Sequence, residues 1–397
     1  MAPFGCSYLL HSGDGGIGLF YLSLYGEGEK YPLKLIATMT PKRIGILSSG
    51  GDAPGINATI RAVAKTAIHA HGMEVLGFMG GFTGITTKNF IELNMMNLSS
   101  LLSMGGTILG SSRDKAFRKA LLKQDEAVAE LKKAWKELGL DAIVCIGGNG
   151  TQKTASVVSD LGFNVIGVPK TIDNDIYGTD ITFGFDTAVG IATELIDRIH
   201  STAQSHNRVI VVEVMGHEAG WIALHSGMAS GADVILLPEL GCDLEIVKAT
   251  IRRRYEEGKN YAIIVVAEGL VFDEQKAQPE AERESAGRYL SRKLREEADI
   301  DSRETILGYV QRGGAPSSFD RNLCTKLGGH ASQLIADGVF GVMVSMRGGK
   351  VTHVPLSMVK DKLKLVQAND PLVVEGRRMD ISFGVDFSKL RLTTAGK

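Results

Sequence analysis

From Arg43 onward the chain alternates short apolar runs with longer stretches in which apolar residues recur every three or four positions. The runs at 44–47, 74–78, 141–146, 164–168, 209–214, 234–237, 262–267 and 341–345 predict buried strands. The intervening stretches at 54–70, 117–138, 188–203, 244–257 and 285–297 carry the apolar stripe of helices that cover a core. Strands alternating with helices predict an α/β fold with parallel sheets covered on both faces. In such folds ligands sit beyond the carboxyl ends of the strands, which is where the glycine-rich turns of this chain fall. No repeat or low-complexity tract interrupts the pattern.

Composition limits what this pattern can serve. At 397 residues, 44% apolar and 22% charged, the chain can bury a substantial core, and its length predicts two domains. Forty-four Lys and Arg against 45 Asp and Glu leave no overall positive field to draw it to nucleic acid or a membrane surface. No apolar run reaches the roughly 18 residues of a membrane span, and the start lacks a secretory pattern, so neither insertion nor export is expected. Cys6, Cys145, Cys242 and Cys324 are scattered without a paired motif, which fits a reduced cytoplasmic setting. Residues 1–38 lack the regular pattern and read as an N-terminal extension, disordered or from a misassigned start. Within them 13–18 formally matches a dinucleotide fingerprint, but no strand precedes it.

The chemistry centres on 167–175, Gly-Val-Pro-Lys-Thr-Ile-Asp-Asn-Asp, directly after a predicted strand. On an extended segment Asp173 and Asp175 point the same way, so one carboxylate can accept a proton while the other manages a cation. Residues 49–55, with Gly51 among them, join a strand to a helix start, where a tight turn and a phosphate cradle both fit. Gly147-Gly148-Asn149-Gly150-Thr151 repeats the arrangement, with Thr151 placed to cap the next helix. Lys153-Thr154 suggests a P-loop, yet Gln152 stands where that pattern needs glycine. Three arginine-bearing turns can hold anions or be solvated surface: 110–113 with Arg113, 207–208 with Arg208, and Arg303 with Gln311-Arg312-Gly313-Gly314. Glu268-Gly269 offers sugar hydroxyls a carboxylate or forms a plain strand-end turn. Phosphate cradles, arginines and an acid pair together describe phosphoryl transfer.

The ordered motifs Gly-Gly-Asp-Ala-Pro-Gly-Ile-Asn (50–57), Gly-Gly-Asn-Gly-Thr, Pro-Lys-Thr-Ile-Asp-Asn-Asp, Val-Glu-Val-Met-Gly (212–216) and Gln-Arg-Gly-Gly resemble the 6-phosphofructokinase family across about 42–349. The resemblance implies two Rossmann-like three-layer lobes with mainly parallel sheets. The donor lobe would take 40–184 plus 312–360, and the fructose 6-phosphate lobe 185–311 plus 361–397. It implies Mg2+-dependent transfer of a phosphoryl group to the 1-hydroxyl of fructose 6-phosphate, a step of glycolysis, in a cytoplasmic homodimer or homotetramer with shared active sites. Asp173 would be the base, Thr171 would steady the transferring group, and Asp175 with Asn149 would support magnesium. Gly51 and Arg113 would line the phosphoryl path, and Gly148, Asn149, Gly150, Thr151 and Lys170 would hold the donor. Met215, Gly216, His217, Glu268, Tyr309 and Arg312 would hold the sugar phosphate beside Thr171 and Asp173, with Arg208 and Arg303 reaching in from a neighbouring subunit.

The resemblance divides on the donor. Glycine at 150 marks ATP enzymes, since an aspartate there repels the nucleotide phosphate. Lys170 and Tyr309 look like the pyrophosphate and mixed branch. The missing carboxylate acts directly on the nucleotide, so ATP is the expected donor and pyrophosphate the alternative. Asn149 stands where the family usually has an acid, and His217 replaces a usual arginine, which leaves a non-catalytic regulatory subunit as another alternative. Retention of Asp173, Asp175, Thr171 and Arg113 favours an active enzyme. A diacylglycerol- or NAD-kinase-like protein would share the 147–151 turn but lack the acid pair and Gln-Arg-Gly-Gly.

Overall fold

The computed structural model describes residues 43–113 and 115–389. The extension read at 1–38 lies outside them. Two sheets organise the fold. The first takes β1 (Arg43–Ser49), β2 (Glu74–Phe78), β3 (Phe90–Leu93), β4 (Ala142–Gly147) and β5 (Val165–Pro169). The second takes β6 (Val209–Val214), β7 (Val234–Leu236), β8 (Ala262–Ala267) and β9 (Ser302–Ile306), after which β10 (Val342–Arg347) and β11 (Lys350–Pro355) return to the first. The strand orders are β11-β10-β5-β4-β1-β2-β3 and β7-β8-β6-β9. Every neighbouring pair is parallel except β2 with β3 and β10 with β11.

Helices α1 (Ile56–His71), α2 (Thr83–Thr86), α3 (Lys115–Lys123), α4 (Asp125–Leu138) and α5 (Asn149–Asp160) accompany the first five strands. They are followed by α6 (Phe185–His206), α7 (Trp221–Ala229), α8 (Leu244–Glu256) and α9 (Ala286–Ala298), then by α10 (Ser318–Ala336), α11 (Leu356–Val359) and α12 (Pro371–Arg378). The period of two along each strand divides its side chains between two cores. Ile44 and Ile46 of β1 pack with Ile60 and Val63 of α1 and Leu327 of α10, while Leu47 packs with Leu131 of α4 and Val158 of α5. Ile210 and Val212 of β6 meet Ala192 of α6 and Ile222 of α7, while Val209 and Val211 meet Val247 of α8 and Leu290 of α9. Each such aliphatic side chain contributes about 1.5–3 kcal/mol by leaving water. The near-continuous apolar runs follow from this, because both faces of each central strand are covered.

Gly55 fixes where α1 begins beyond β1. It caps the helix with φ 103°, and a Cβ there would lie 2.8 Å from Cys324 Sγ and 2.9 Å from a Phe183 ring carbon. Backbone and packing therefore both require glycine.

Several expectations are corrected. The helix expected over 117–138 is two helices, because Gln124 adopts extended backbone between α3 and α4. Strands β3, β9 and β11 were not expected. They are edge strands of mixed polarity, and Ser-Arg-Glu-Thr-Ile of β9 lacks an apolar run. Arg303 therefore lies on a strand and not in a turn. Helix α10 was also missed, though Ser317 caps it by accepting from Asp320 N, a legible start signal. No helix among the described residues is long and apolar enough to cross a membrane.

Candidate active site

The carboxyl ends of β1, β4 and β5 open on a cleft of about 890 Å³. Three loops build its first wall. Ser49 Oγ donates to Ser112 O (2.7 Å), Gly50 N donates to the same carbonyl (2.9 Å), and Ser111 Oγ donates to Gly50 O (2.5 Å). The loop carrying Arg113 is thereby bound to the loop carrying Gly51. Lys170 Nζ donates to Gly51 O from β5's end, so this lysine ties the loop as well as lining the cleft. Arg312 reaches across from the Gln-Arg-Gly-Gly turn, its Nη1 donating to Asp52 O (3.1 Å).

The second wall is the start of α5. Gly148 is its N-cap, with Asn149, Gly150 and Thr151 in the first turn and all four on the cleft. The expectation that Thr151 caps this helix is corrected: it lies inside the first turn, and the cap is Gly148, which has no side chain to bond the helix start. A Cβ at Gly150 would meet nothing within 4 Å. Gln152, which broke the P-loop pattern, is buried and donates to Gly147 O (2.9 Å) and Val168 O (3.0 Å), a purely structural post.

The acid pair is held by a turn and not, as expected, by an extended strand, since β5 ends at Pro169. Thr171 Oγ1 accepts from Asp173 N (3.1 Å) and donates to Asp173 Oδ2 (3.0 Å). Asn174, at φ 53°, then reverses the chain so that both Asp173 and Asp175 line the cleft. Asn149 Nδ2 donates to Asp175 Oδ2 (2.8 Å). Burial, followed by the charge of Asp173, pushes the Asp175 carboxyl up to about 6, against the opposing pull of a backbone amide, His217 and Lys364. Burial likewise lowers Lys364 to about 8. The Oδ1 atoms of Asn149, Asp173 and Asp175 are buried with no hydrogen-bond partner among the described residues. Of these, the hard oxygen atoms of Asn149 and Asp175, with spare lone pairs, suit a magnesium ion. Among the described residues no group of three His, Cys, Asp or Glu side chains could chelate an ion alone.

Around this pair the lining has five Lys and Arg (113, 115, 118, 170, 312) against three Asp and Glu (173, 175, 218), a local positive excess within a chain of net charge −1. Such a cleft focuses on anions. Lys115 and Arg118 were missed by sequence reasoning. Arg118 Nη1 donates to Gly150 O (2.9 Å) and Thr154 Oγ1 (3.1 Å), bracing the α5 turn. Basic residues spaced three apart just after Arg113 were the available signal.

His217, at φ 53°, also lines the cleft, but Met215, Gly216, Glu268 and Tyr309 do not. Glu268 Oε1 accepts from Gly216 N (3.2 Å) and His217 N (2.9 Å), so its carboxylate shapes the Met-Gly-His turn. Met215 N donates to buried Gln311 Oε1 (3.2 Å), which joins two of the motifs. Tyr309 is 83% exposed. Arg208 and Arg303 are not brought to this cleft: both donate to Asp301, at 2.7 and 2.6 Å, at the opposite ends of β6 and β9.

A model of the phosphofructokinase family matches residues 43–335. Over 343 residues the chain is 54% identical to ATP-dependent 6-phosphofructokinase 3 of Bacteroides thetaiotaomicron, covering 86% of this chain and 100% of that one. It is 46% identical over 334 residues to the pyrophosphate–fructose 6-phosphate 1-phosphotransferase of Amycolatopsis methanolica, covering 82% and 96%. The solved phosphofructokinase from Saccharomyces cerevisiae superposes with a TM-score of 0.71 at 32% identity, over 80% of this chain and 45% of that one.

Proposed function

The chain belongs to the phosphofructokinase family, and from that membership we propose that it transfers a phosphoryl group from ATP to the 1-hydroxyl of fructose 6-phosphate, a cytoplasmic step of glycolysis. Gly150 carries the choice of donor. It faces open space at the start of α5, so no side chain excludes a nucleotide phosphate from the helix amides. The lobe built on the first sheet (40–184 plus 312–360) binds the donor, and the other (185–311 plus 361–397) binds the sugar phosphate.

Asp173 accepts the proton of the attacking hydroxyl. Its Oδ2 is engaged by Thr171, which leaves Oδ1 as the acceptor and fixes its direction. Thr171 acts here by holding the base. Arg113, Lys170 and Arg312 surround the phosphoryl path with positive charge, the main requirement of this chemistry. Asn149 and Asp175 are the residues that would hold Mg2+, which when bound neutralises phosphate charge. Arg208 and Arg303 serve the sugar phosphate of a neighbouring copy, in a homodimer or homotetramer.

Pyrophosphate remains the second reading because of Lys170, a buried cation bonded to the donor loop at Gly51. Turnover of fructose 6-phosphate with magnesium, measured with ATP and with pyrophosphate, separates the two. Wild type should use ATP, Asp173→Ala should lose at least about 100-fold in kcat, and Gly150→Asp should depress ATP use more than pyrophosphate use. Activity with pyrophosphate alone overturns the donor, and near-normal turnover by Asp173→Ala overturns the base.

A further inference from the structure

One cation, Lys364, stands behind the acid pair and outside the cleft lining. The segment between α11 and α12 runs antiparallel to the catalytic turn, with Leu363 bridged to Ile176 and Lys364 N donating to Asp175 O at 2.8 Å. Leu363 lines the cleft and Lys364 does not. The Lys364 ammonium donates instead to Asn174 Oδ1 (2.9 Å) and Asp180 O (2.7 Å) and sits 5.3 Å from the centre of the Trp221 ring. Trp221 Nε1 donates back to Lys364 O (2.8 Å), so the segment is clasped from both sides.

The three groups this ammonium touches are uncharged, and the carboxylates of Asp180 and Asp175 act on it only at longer range. The residue is half-buried, and turning part of an ammonium from water toward neutral partners brings little stability. What it holds is Asn174, the left-handed residue between Asp173 and Asp175. The same Asn174 Oδ1 accepts from Thr182 N (3.1 Å), so amide, lysine and backbone lock the turn that sends both flanking carboxylates into one cleft. Asparagine takes left-handed backbone more readily than other non-glycine residues, and the bonds to its side chain hold this one there.

We propose that Lys364 is a positioning residue for phosphoryl transfer, which through Asn174 sets the direction of Asp173 and Asp175. This rests on the function proposed above, with Asp173 as base. Its influence falls on the geometry of the reacting groups and not on substrate binding, because its ammonium lies outside the cleft lining. Lys364→Met keeps the stem against Trp221 and removes the donor, and Lys364→Arg restores one. For Lys364→Met a kcat loss of roughly 30- to 100-fold is expected, with KM for both substrates within about threefold, since small misplacements of reacting groups have effects of this size. Lys364→Arg should recover most of that loss.

A merely structural lysine predicts a different pattern: raised KM for both substrates, a lowered thermal midpoint, and no rescue by arginine. That pattern, or a kcat for Lys364→Met within threefold of wild type, overturns the proposal. Amide hydrogen exchange over 171–182, read without substrate, should be faster in Lys364→Met, and unchanged exchange also overturns it. Wild type that turns over fructose 6-phosphate with neither donor refutes the function and leaves the exchange experiment to decide on Lys364.

Discussion

At the Asp175 carboxyl, burial and the charge of Asp173 raise the folded-state value from 3.8 to about 6. Between those values the folded protein holds a proton that the unfolded chain has released, so stability falls as pH rises through that window. Above about 6 the full penalty is present. Asp175→Asn removes the charge while keeping an oxygen for Asn149 Nδ2. Urea melts of the ligand-free protein should therefore show Asp175→Asn more stable by about 1–2 kcal/mol at pH 7.5, with little gain near pH 4. The same variant should lose turnover. Wild-type kcat/KM should decline as pH drops through about 6, where Asp175 takes up its proton. A destabilised Asp175→Asn at pH 7.5 would falsify the assignment of strain to this carboxylate. At this scale the sequence revealed the residue types of the cleft but not their support. Asp173 and Asp175 were visible as an acid pair, whereas the turn that aims them depends on Lys364, nearly two hundred positions away.

The central strands and the fully buried edge strand β7 were legible because they are apolar throughout, and the edge strands β3, β9 and β11 were not, because their more exposed positions need no continuous apolar run. Helix α10 escaped for a different reason. Its buried face includes Gly328, Ser332 and Asp320, small or polar residues that blur the stripe. A Cβ on Gly328 would lie 2.7 Å from Ala62 Cβ, so α10 crosses α1 at close range. The start of α10 is also tied to the start of α6. Ser317 Oγ donates to Asp186 Oδ2 (2.5 Å) while accepting from Asp320 N (3.1 Å), and Thr187 N donates to Asp320 Oδ2 (2.9 Å). Two helix starts thus share one polar cluster beside the Gln-Arg-Gly-Gly turn. Ser317→Ala removes the cap and leaves the Asp186 contact without its donor, and should destabilise by about 1–2 kcal/mol in chemical denaturation. A change within a few tenths would mean that the cluster does not hold the two helices.

For the molecule as a whole, the outstanding charge lies where its own cleft cannot use it. Arg208 and Arg303 share the single carboxylate of Asp301, so the cluster carries an excess positive charge. The six residues of β6 separate Arg208 from Met215 by roughly 20 Å, well beyond the reach of an arginine side chain. Ile306, Tyr309 and Val310, at and just beyond the end of the edge strand β9, are 44%, 83% and 56% exposed, an apolar surface on the strand that carries Arg303. A second copy covering that surface would bring the guanidinium pair to its own cleft, where a dianionic sugar phosphate needs them. Both salt bridges are surface pairs, worth at most about 1 kcal/mol, so Arg303→Ala should fold normally and fail in catalysis. Mixing is the decisive measurement. Asp173→Ala and Arg303→Ala chains, each nearly inactive alone, are dissociated and reassociated together. In a mixed pair one cleft collects both lesions and the other is whole, so about a quarter of wild-type activity should return on random pairing. If each chain completes its own site, the mixture stays as inactive as its parts.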